Sequence, residues 1–180
     1  MKILIAVAAV AVLVLGGFAV STSAVPAPPS QGPYVSLSGP DGHVKEAGYV
    51  RITTREDWAK QWLRNLGEKP SGKHGYDEYY NPKRLPRVDF TRCFVLAIYK
   101  GECWNCTAID VKSVDETKDR LRVRFRGRYY QTMGPDGGGE EVAPYGFFIL
   151  PKTTKPIVIE EDVHGTIGGD PVWKERARLD

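Results

Sequence analysis

The chain has 180 residues, of which 42% are hydrophobic and 26% charged, and its formal net charge is +3. This length predicts one folded domain with appendages, and the hydrophobic fraction excludes both a disordered chain and a polytopic membrane protein. The small net charge does not indicate a nucleic-acid binder, so we expect no nucleic-acid partner.

The first 24 residues have the pattern of a secretory signal peptide. Lys2 precedes an unbroken apolar run over residues 3–20, and Ser-Thr-Ser-Ala follows at 21–24. A charged start, an apolar stretch and small residues at the cleavage site are typical of such peptides. We therefore expect cleavage after Ala24 and a secreted, periplasmic or cell-surface location. The alternative is an uncleaved anchor, because the apolar run approaches the length that spans a bilayer.

A proline-rich segment follows the predicted signal peptide. Residues 25–33 read Val-Pro-Ala-Pro-Pro-Ser-Gln-Gly-Pro, a composition that favours an extended tether without packed structure. We place this tether at residues 25–43 and predict a single β-rich domain over residues 44–180.

An amphipathic helix is predicted near the start of this domain. Thr53 suits the N-cap position, and Glu56 would complete a capping box three residues later. Gly67 is placed where a helix ends. The apolar residues between them recur at helical spacing and form one stripe: Trp58, Ala59, Trp62, Leu63 and Leu66.

The remainder of the domain has the pattern of about six strands. Residues 90–99 and 145–150 are apolar on both faces, which predicts central strands buried on both sides. Asp170 and Pro171 then indicate the start of a short C-terminal helix. Together these elements predict an α+β fold with a mainly antiparallel sheet, either a sandwich or a partly open barrel.

The three cysteines are Cys93, Cys103 and Cys106. Cys103 and Cys106 form a C-x-x-C motif, and in an exported protein we expect this pair to be a disulfide that closes a hairpin turn. A thioredoxin-like redox site and a metal site are the alternatives, although the expected turn joins two strands and lacks further ligands. Cys93 is predicted to be a buried free thiol deep in the sheet.

Five arginines occupy alternate positions of one predicted strand, with apolar residues between them: Arg120, Arg122, Arg124, Arg126 and Arg128. Side chains in a strand alternate between faces, so all five are expected on one face, about 6.8 Å apart. Gly127 could introduce a bulge that displaces Arg128. The arginines could pair with neighbouring carboxylates, or they could bind an anionic partner through their planar guanidinium groups. We take these five residues, with the Cys103–Cys106 turn at the end of the row, as the candidate binding site.

No catalytic pattern is present in the sequence. It lacks H-E-x-x-H, G-x-S-x-G and a papain-type cysteine context. Three scattered histidines are too few to indicate an acid–base site. We therefore predict a protein that is not an enzyme and that needs no metal or other cofactor.

The stretch from residue 49 to about residue 160 resembles the C-terminal domain of PrcB-type proteins, which are exported bacterial subunits associated with protease-complex stability. The motifs that carry the resemblance are Ile-Thr-x-Arg-Glu-x-Trp at 52–58, Pro-Arg-Val-Asp-Phe at 86–90, Phe-Val-Leu-Ala-Ile at 94–98, and Ala-Pro-Tyr at 143–145 before Phe-Phe-Ile-Leu-Pro-Lys at 147–152. The resemblance implies a small β-rich module that binds another protein. The Cys103-Trp104-Asn105-Cys106 turn departs from the family, which tends to carry a Gly-rich segment there.

The sequence therefore predicts an exported, non-enzymatic module that binds another exported protein, such as a protease whose complex it stabilises. An anionic surface is the second candidate partner, and a membrane becomes one if the N-terminal segment is retained. The alternative functions are a redox protein that uses Cys103 and Cys106, and a protease inhibitor that inserts the loop at residues 134–141.

Overall fold

The computed structural model of the protein describes residues 32–67, 85–132, 137–164 and 169–180. The predicted signal peptide and the first part of the predicted tether lie outside these residues. Among the residues described, no helix has the length and hydropathy needed to cross a membrane.

The described residues form ten strands and one helix. In chain order they are β1 Val35–Gly39, β2 Gly48–Ile52, α1 Arg55–Asn65, β3 Cys93–Tyr99, β4 Cys103–Trp104, β5 Cys106–Glu116, β6 Leu121–Tyr129, β7 Glu141–Val142, β8 Tyr145–Pro151, β9 Ile157–Asp162 and β10 Trp173–Leu179.

These strands form three sheets. The central sheet has the order β1-β8-β3-β2, the outer sheet has the order β10-β9-β6-β5, and the small sheet pairs β4 with β7. One apolar cluster fills the space between the central and outer sheets. A second cluster lies on the other face of the central sheet, where helix α1 packs. The central sheet is therefore the middle layer of three.

This layering explains why β3 and β8 have apolar residues at consecutive positions. In β3, Phe94, Leu96 and Ile98 belong to the cluster that faces the outer sheet. Val95 and Tyr99 belong to the cluster beneath the helix. Each face of the strand thus packs against a different layer, as a strand buried on both sides requires.

Helix α1 is anchored through the two tryptophans of its apolar stripe. The ring centroid of Trp58 lies 4.8 Å from that of Phe147, and Trp62 packs 5.3 Å from Trp58. The N-cap is Thr54, whose side chain accepts a hydrogen bond from the backbone N–H of Asp57. The cap is thus one residue later than the Thr53 predicted from the capping-box pattern, because Asp57 provides an equivalent acidic partner.

The prediction of an α+β fold is wrong, because the protein is mostly β. Strands make up 51% of the described residues and helix only 9%. The predicted C-terminal helix is instead strand β10, which pairs antiparallel with β9. The local sequence favours a helix after Asp170. Pairing with β9 instead gives hydrogen bonds to the backbone N–H and C=O groups at the edge of that strand, and this overrides the local preference.

Two other features differ from the sequence prediction. Val35 to Gly39 lie within the predicted tether, yet they form β1 and pair with β8. Strands β6 and β9 are parallel, whereas the pattern of short turns had suggested antiparallel neighbours. The chain crosses to the central sheet through β8 between these two strands, which supplies the long connection that a parallel pair needs.

Candidate functional site

Four of the five candidate arginines lie in β6 on one face of the outer sheet. Leu121, Val123 and Phe125 alternate with them and are buried in the core. The arginines therefore point away from the core, as strand geometry requires. Arg120 precedes the strand, and its backbone N–H bonds to Thr117 Oγ1. Gly127 pairs in register with Ile109, so the predicted bulge is absent from β6, and the irregularities of this pair lie in β5.

Carboxylates on the neighbouring strands neutralise three of these arginines. Glu160 on β9 lies 2.8 Å from Arg124 Nε and 3.5 Å from Arg122 Nε. Arg128 donates to Asp110 on β5, with a shortest distance of 2.6 Å. Arg124 also stacks over the ring of Trp173, 5.1 Å from its centroid. The predicted row of arginines is thus largely paired within its own sheet.

Arg126 is the exception in the middle of the strand. Its cross-strand neighbour is Asp110, but that carboxylate is bonded to Arg128 and lies 3.5 Å from Lys112. Arg126 is exposed and forms no ion pair with the residues the structure describes. The same holds for Arg120 at the other end of the strand. Of the five candidates, Arg120 and Arg126 are therefore the two whose guanidinium groups are not paired with a carboxylate of the described residues.

The two cysteines of the C-x-x-C motif lie on strands of different sheets. Cys103 is in β4 of the small sheet and Cys106 begins β5 of the outer sheet. Asn105 between them has a left-handed backbone, with φ of 57°. Both cysteines are free thiols in the structure, and the Cys106 thiol donates to the carbonyl oxygen of Ala108 at 3.6 Å. The disulfide itself stays a prediction.

The surroundings of this pair are unlike those of a thioredoxin-type site. Burial first, and the neighbouring Cys106 second, raise the pKa of Cys103 to about 12. Burial also raises the pKa of Cys106. Activated cysteines have lowered pKa values and lie at helix N-termini or in electropositive sites, whereas this motif joins two strands. These features disfavour the redox alternative.

No group of three or more His, Cys, Asp or Glu side chains in the described parts of the chain is arranged to hold a metal ion.

Cys93 is half-buried at the start of β3, so the prediction of a thiol deep in the sheet is wrong. It lies there because β3 begins later than the apolar run suggested.

Exposed apolar side chains gather at one end of the outer sheet, and we call this region the aromatic end. Tyr129 pairs with Cys106, and the N–H of Tyr130 bonds to the carbonyl of Asn105 beside Trp104. At the neighbouring strand ends, the N–H of Val163 bonds to the carbonyl of Val172. The aromatic end consists of Trp104, Tyr129, Tyr130, Val163 and Val172, all of them exposed.

Exposure is greatest for the first two aromatic residues. Trp104 is 61% exposed and Tyr129 is 55% exposed. Gly139 lies against the Trp104 ring, and a Cβ at that glycine would come within 3.0 Å of it. Exposed apolar groups are unremarkable when scattered singly, but a group of them at one place is typical of an interaction site.

A buried ion network lies beneath the aromatic end. Glu161 of β9 accepts hydrogen bonds from Lys100 Nζ and from Arg176 Nε, the latter at 2.6 Å. The Lys100 ammonium also lies 5.8 Å from the centroid of the Tyr129 ring. Burial lowers the pKa of Lys100, but the bond to Glu161 and the nearby Tyr129 raise it more, so the net shift is upward. The network thus links β3, β9 and β10 by hydrogen bonds, and it reaches the end of β6 through the Tyr129 ring.

A groove of about 350 Å³ runs beside the small sheet and carries several titratable groups. Lys45 pairs with Glu102 at 2.6 Å, and both are well exposed. The histidine at this groove, His43, has its Nδ1 3.2 Å from the carbonyl oxygen of Asn65 rather than beside a carboxylate. Among the described residues, His43 therefore has no carboxylate partner in this groove. Its other charged lining residues are Asp41, Glu140 and Glu141.

The loop considered for protease inhibition is only partly described. Residues 134–136 lie outside the described ranges, while the backbone of Glu140 exchanges hydrogen bonds with Asn105. The described part of this loop thus supports the turn that carries Trp104.

We compared the chain with protein-family models, with curated proteins and with solved structures, and none of them matches it.

Proposed function

We propose that this protein is an exported, non-enzymatic module that binds another exported protein through the aromatic end together with Arg126. The observation that carries the proposal is that five exposed apolar side chains lie at neighbouring strand ends of the outer sheet and in the turn that leads into it. Trp, Tyr and Arg are the residue types that contribute most to protein interfaces, because they offer large contact areas and directional bonds.

The partner we propose presents carboxylates beside an apolar patch. Arg126 is exposed on the outer face of β6, and Asp110 across the strand is already bonded to Arg128. An incoming carboxylate can therefore bind the Arg126 guanidinium in a bidentate manner without displacing an existing pair. The paired arginines Arg122 and Arg124 are less suited, since a partner would have to compete with Glu160.

The resemblance to PrcB-type domains favours an exported protease as this partner. It stays a prediction, because it rests on short motifs of the sequence. The support beneath the aromatic end is consistent with any protein partner, since hydrogen bonds of Lys100 and Arg176 to Glu161 link β3, β9 and β10.

Trp104→Ser and Arg126→Glu should each weaken partner capture by roughly thirtyfold, the effect of losing an interface residue worth about 2 kcal/mol. The measurement is a cross-linked pull-down from the exported protein fraction with immobilised protein, followed by titration of the captured protein. The loss caused by Arg126→Glu should be larger at low salt than at high salt, because screening weakens charge pairs.

Two matched variants at the opposite end of the sandwich serve as controls. Tyr34 is exposed beside the start of β1, and Arg92 is exposed just before β3. Tyr34→Ser and Arg92→Glu repeat the two chemical changes away from the aromatic end, and they should leave capture unchanged. If all four variants capture the same proteins equally well, the aromatic end is not the binding surface.

A further inference from the structure

The C-x-x-C motif connects the turn that carries Trp104 to the outer sheet. Cys103 pairs with Val142 in the small sheet, while Cys106 pairs with Tyr129 in the outer sheet. Trp104 and Asn105 are the only residues between the two thiols. A bond between the two sulfurs would therefore cross-link the small sheet to the outer sheet on both sides of Trp104.

Without that bond, few interactions hold the small sheet in place. Its ladder contains two residue pairs. Asn105 supplies two further backbone contacts, since its N–H bonds to the carbonyl of Glu140 and its carbonyl accepts from Tyr130. Next to the ladder, the N–H groups of Glu102 and Ala143 bond to the carbonyls of Lys45 and Pro40. A segment with so few hydrogen bonds opens locally far more often than the core strands do.

We propose that Cys103 and Cys106 are oxidised to a disulfide by a thiol–disulfide exchange partner, and that this bond fastens the Trp104 turn onto the outer sheet. The two cysteines lie at the junction of the two sheets, where the left-handed backbone of Asn105, with φ of 57°, turns the chain from β4 into β5. Its consequence for binding rests on the proposed function: a turn fixed in its binding conformation loses less entropy on association, so capture should be tighter.

The exchange proceeds in two steps, with oxidised glutathione as the oxidant in the test. The Cys103 thiolate reacts first, because this residue is half-buried and Cys106 is fully buried. It attacks one sulfur of the oxidant, and one glutathione thiolate leaves and takes up a proton. The Cys106 thiolate then attacks the Cys103 sulfur and releases the second glutathione. Two cysteines are oxidised and one disulfide is reduced to two thiols.

The rate of this exchange should depend strongly on pH. Only the thiolate attacks, and burial raises the pKa of Cys103 to about 12. At pH values below that pKa, the thiolate fraction increases about tenfold for each pH unit. We therefore expect the initial rate of oxidation to increase roughly tenfold for each unit by which the pH is raised. A rate that is constant between pH 7 and pH 9 would contradict burial of the reacting thiol.

The test compares the full chain after treatment with oxidised glutathione and after reduction with dithiothreitol. Alkylation in denaturant followed by mass measurement should find one reactive cysteine in the oxidised chain and all 3 in the reduced chain. Hydrogen exchange at the amides of Trp104 and Asn105 should be at least about tenfold slower in the oxidised chain, as local opening is suppressed. Capture by the oxidised chain should be about three- to tenfold tighter.

Variants separate the possible outcomes. Cys93→Ser should keep the full response, whereas Cys103→Ser and Cys106→Ser should abolish it. If the folded chain forms no disulfide, or if amide exchange at Trp104 is equal in both forms, the proposal is wrong. If amide hydrogen exchange at Trp104 is slower in the oxidised chain but both forms capture the partner equally well, the disulfide does not affect binding. If no partner is captured in either form, the proposed function fails, and amide exchange alone still decides whether the bond fastens the turn.

Discussion

Replacing Glu161 by Gln is expected to lower the free energy of unfolding by about 3–5 kcal/mol, the usual cost of removing one partner from a buried ion network. Glu161 is only 5% exposed and accepts hydrogen bonds from both Lys100 and Arg176. Gln has nearly the same shape but no charge, so it leaves Lys100, whose side chain is only 15% exposed, without its counter-charge. Urea unfolding followed by circular dichroism measures this loss.

Glu175→Gln is the matched control, because it makes the same change on the neighbouring strand. Glu175 is about half exposed and pairs with Arg178 at 3.2 Å, an arrangement worth about 0–1 kcal/mol. Adding Lys100→Met to Glu161→Gln should recover part of the lost stability, since it removes a buried cation that has no counter-charge. Equal unfolding midpoints for Glu161→Gln and Glu175→Gln would show that the network does not stabilise the fold.

Phe147→Ala is expected to cost about 3–5 kcal/mol of the free energy of unfolding, as large-to-small changes in a tightly packed core do. Phe147 is fully buried beneath helix α1. Its ring packs against four others, with centroid distances of 4.8 Å to Trp58, 5.5 Å to Tyr145, 5.7 Å to Trp62 and 6.0 Å to Tyr99. The cavity would therefore remove the contact on which α1 depends.

Urea unfolding monitored by tryptophan fluorescence tests this prediction, because Trp58 and Trp62 both report on the site. Tyr34→Ala removes an aromatic ring that is 63% exposed, and it should change the stability by less than about 0.5 kcal/mol. Phe147→Leu should fall between the two, since Leu fills part of the volume. A loss below about 1 kcal/mol for Phe147→Ala would mean that α1 packs independently of this ring.

The parts of the fold that sequence analysis could predict are those determined by local pattern. The apolar stripe through Trp58 and Trp62 places a helix there because its period is helical. The continuous apolar run before Tyr99 indicates a strand buried on both faces. Strand alternation likewise places the arginines between Arg122 and Arg128 on one face. Each of these inferences uses neighbours only a few residues apart.

The remaining features depend on residues far apart in the chain. Glu160 neutralises Arg122 and Arg124 because β9 pairs parallel with β6, and no local pattern indicates that pairing. Strand β10 also depends on a distant residue pairing, because it forms by antiparallel hydrogen bonding to the edge of β9. Lys100 and Glu161 are brought together in the same way. Such contacts appear only when the sheet order is known.

Apart from the Cys103–Cys106 turn, the sequence analysis did not predict the aromatic end, although the sequence contains one signal for it. Trp104 stands inside a short turn between two cysteines, where a large apolar side chain has little core to enter. Tyr129 and Tyr130 end a strand whose inward positions are already filled by Phe125 and its neighbours. An aromatic residue at a strand end or in a tight turn is thus a useful indication of an exposed contact.

The pairing of the first strand has a consequence for folding kinetics. Val35 of β1 pairs with Ile149 of β8, so the central sheet is incomplete until most of the polypeptide has been synthesised. Contacts this distant in sequence carry a large loop-closure cost, and domains dominated by them fold in milliseconds to seconds. The nascent chain should therefore remain without its native sheet during most of its translation.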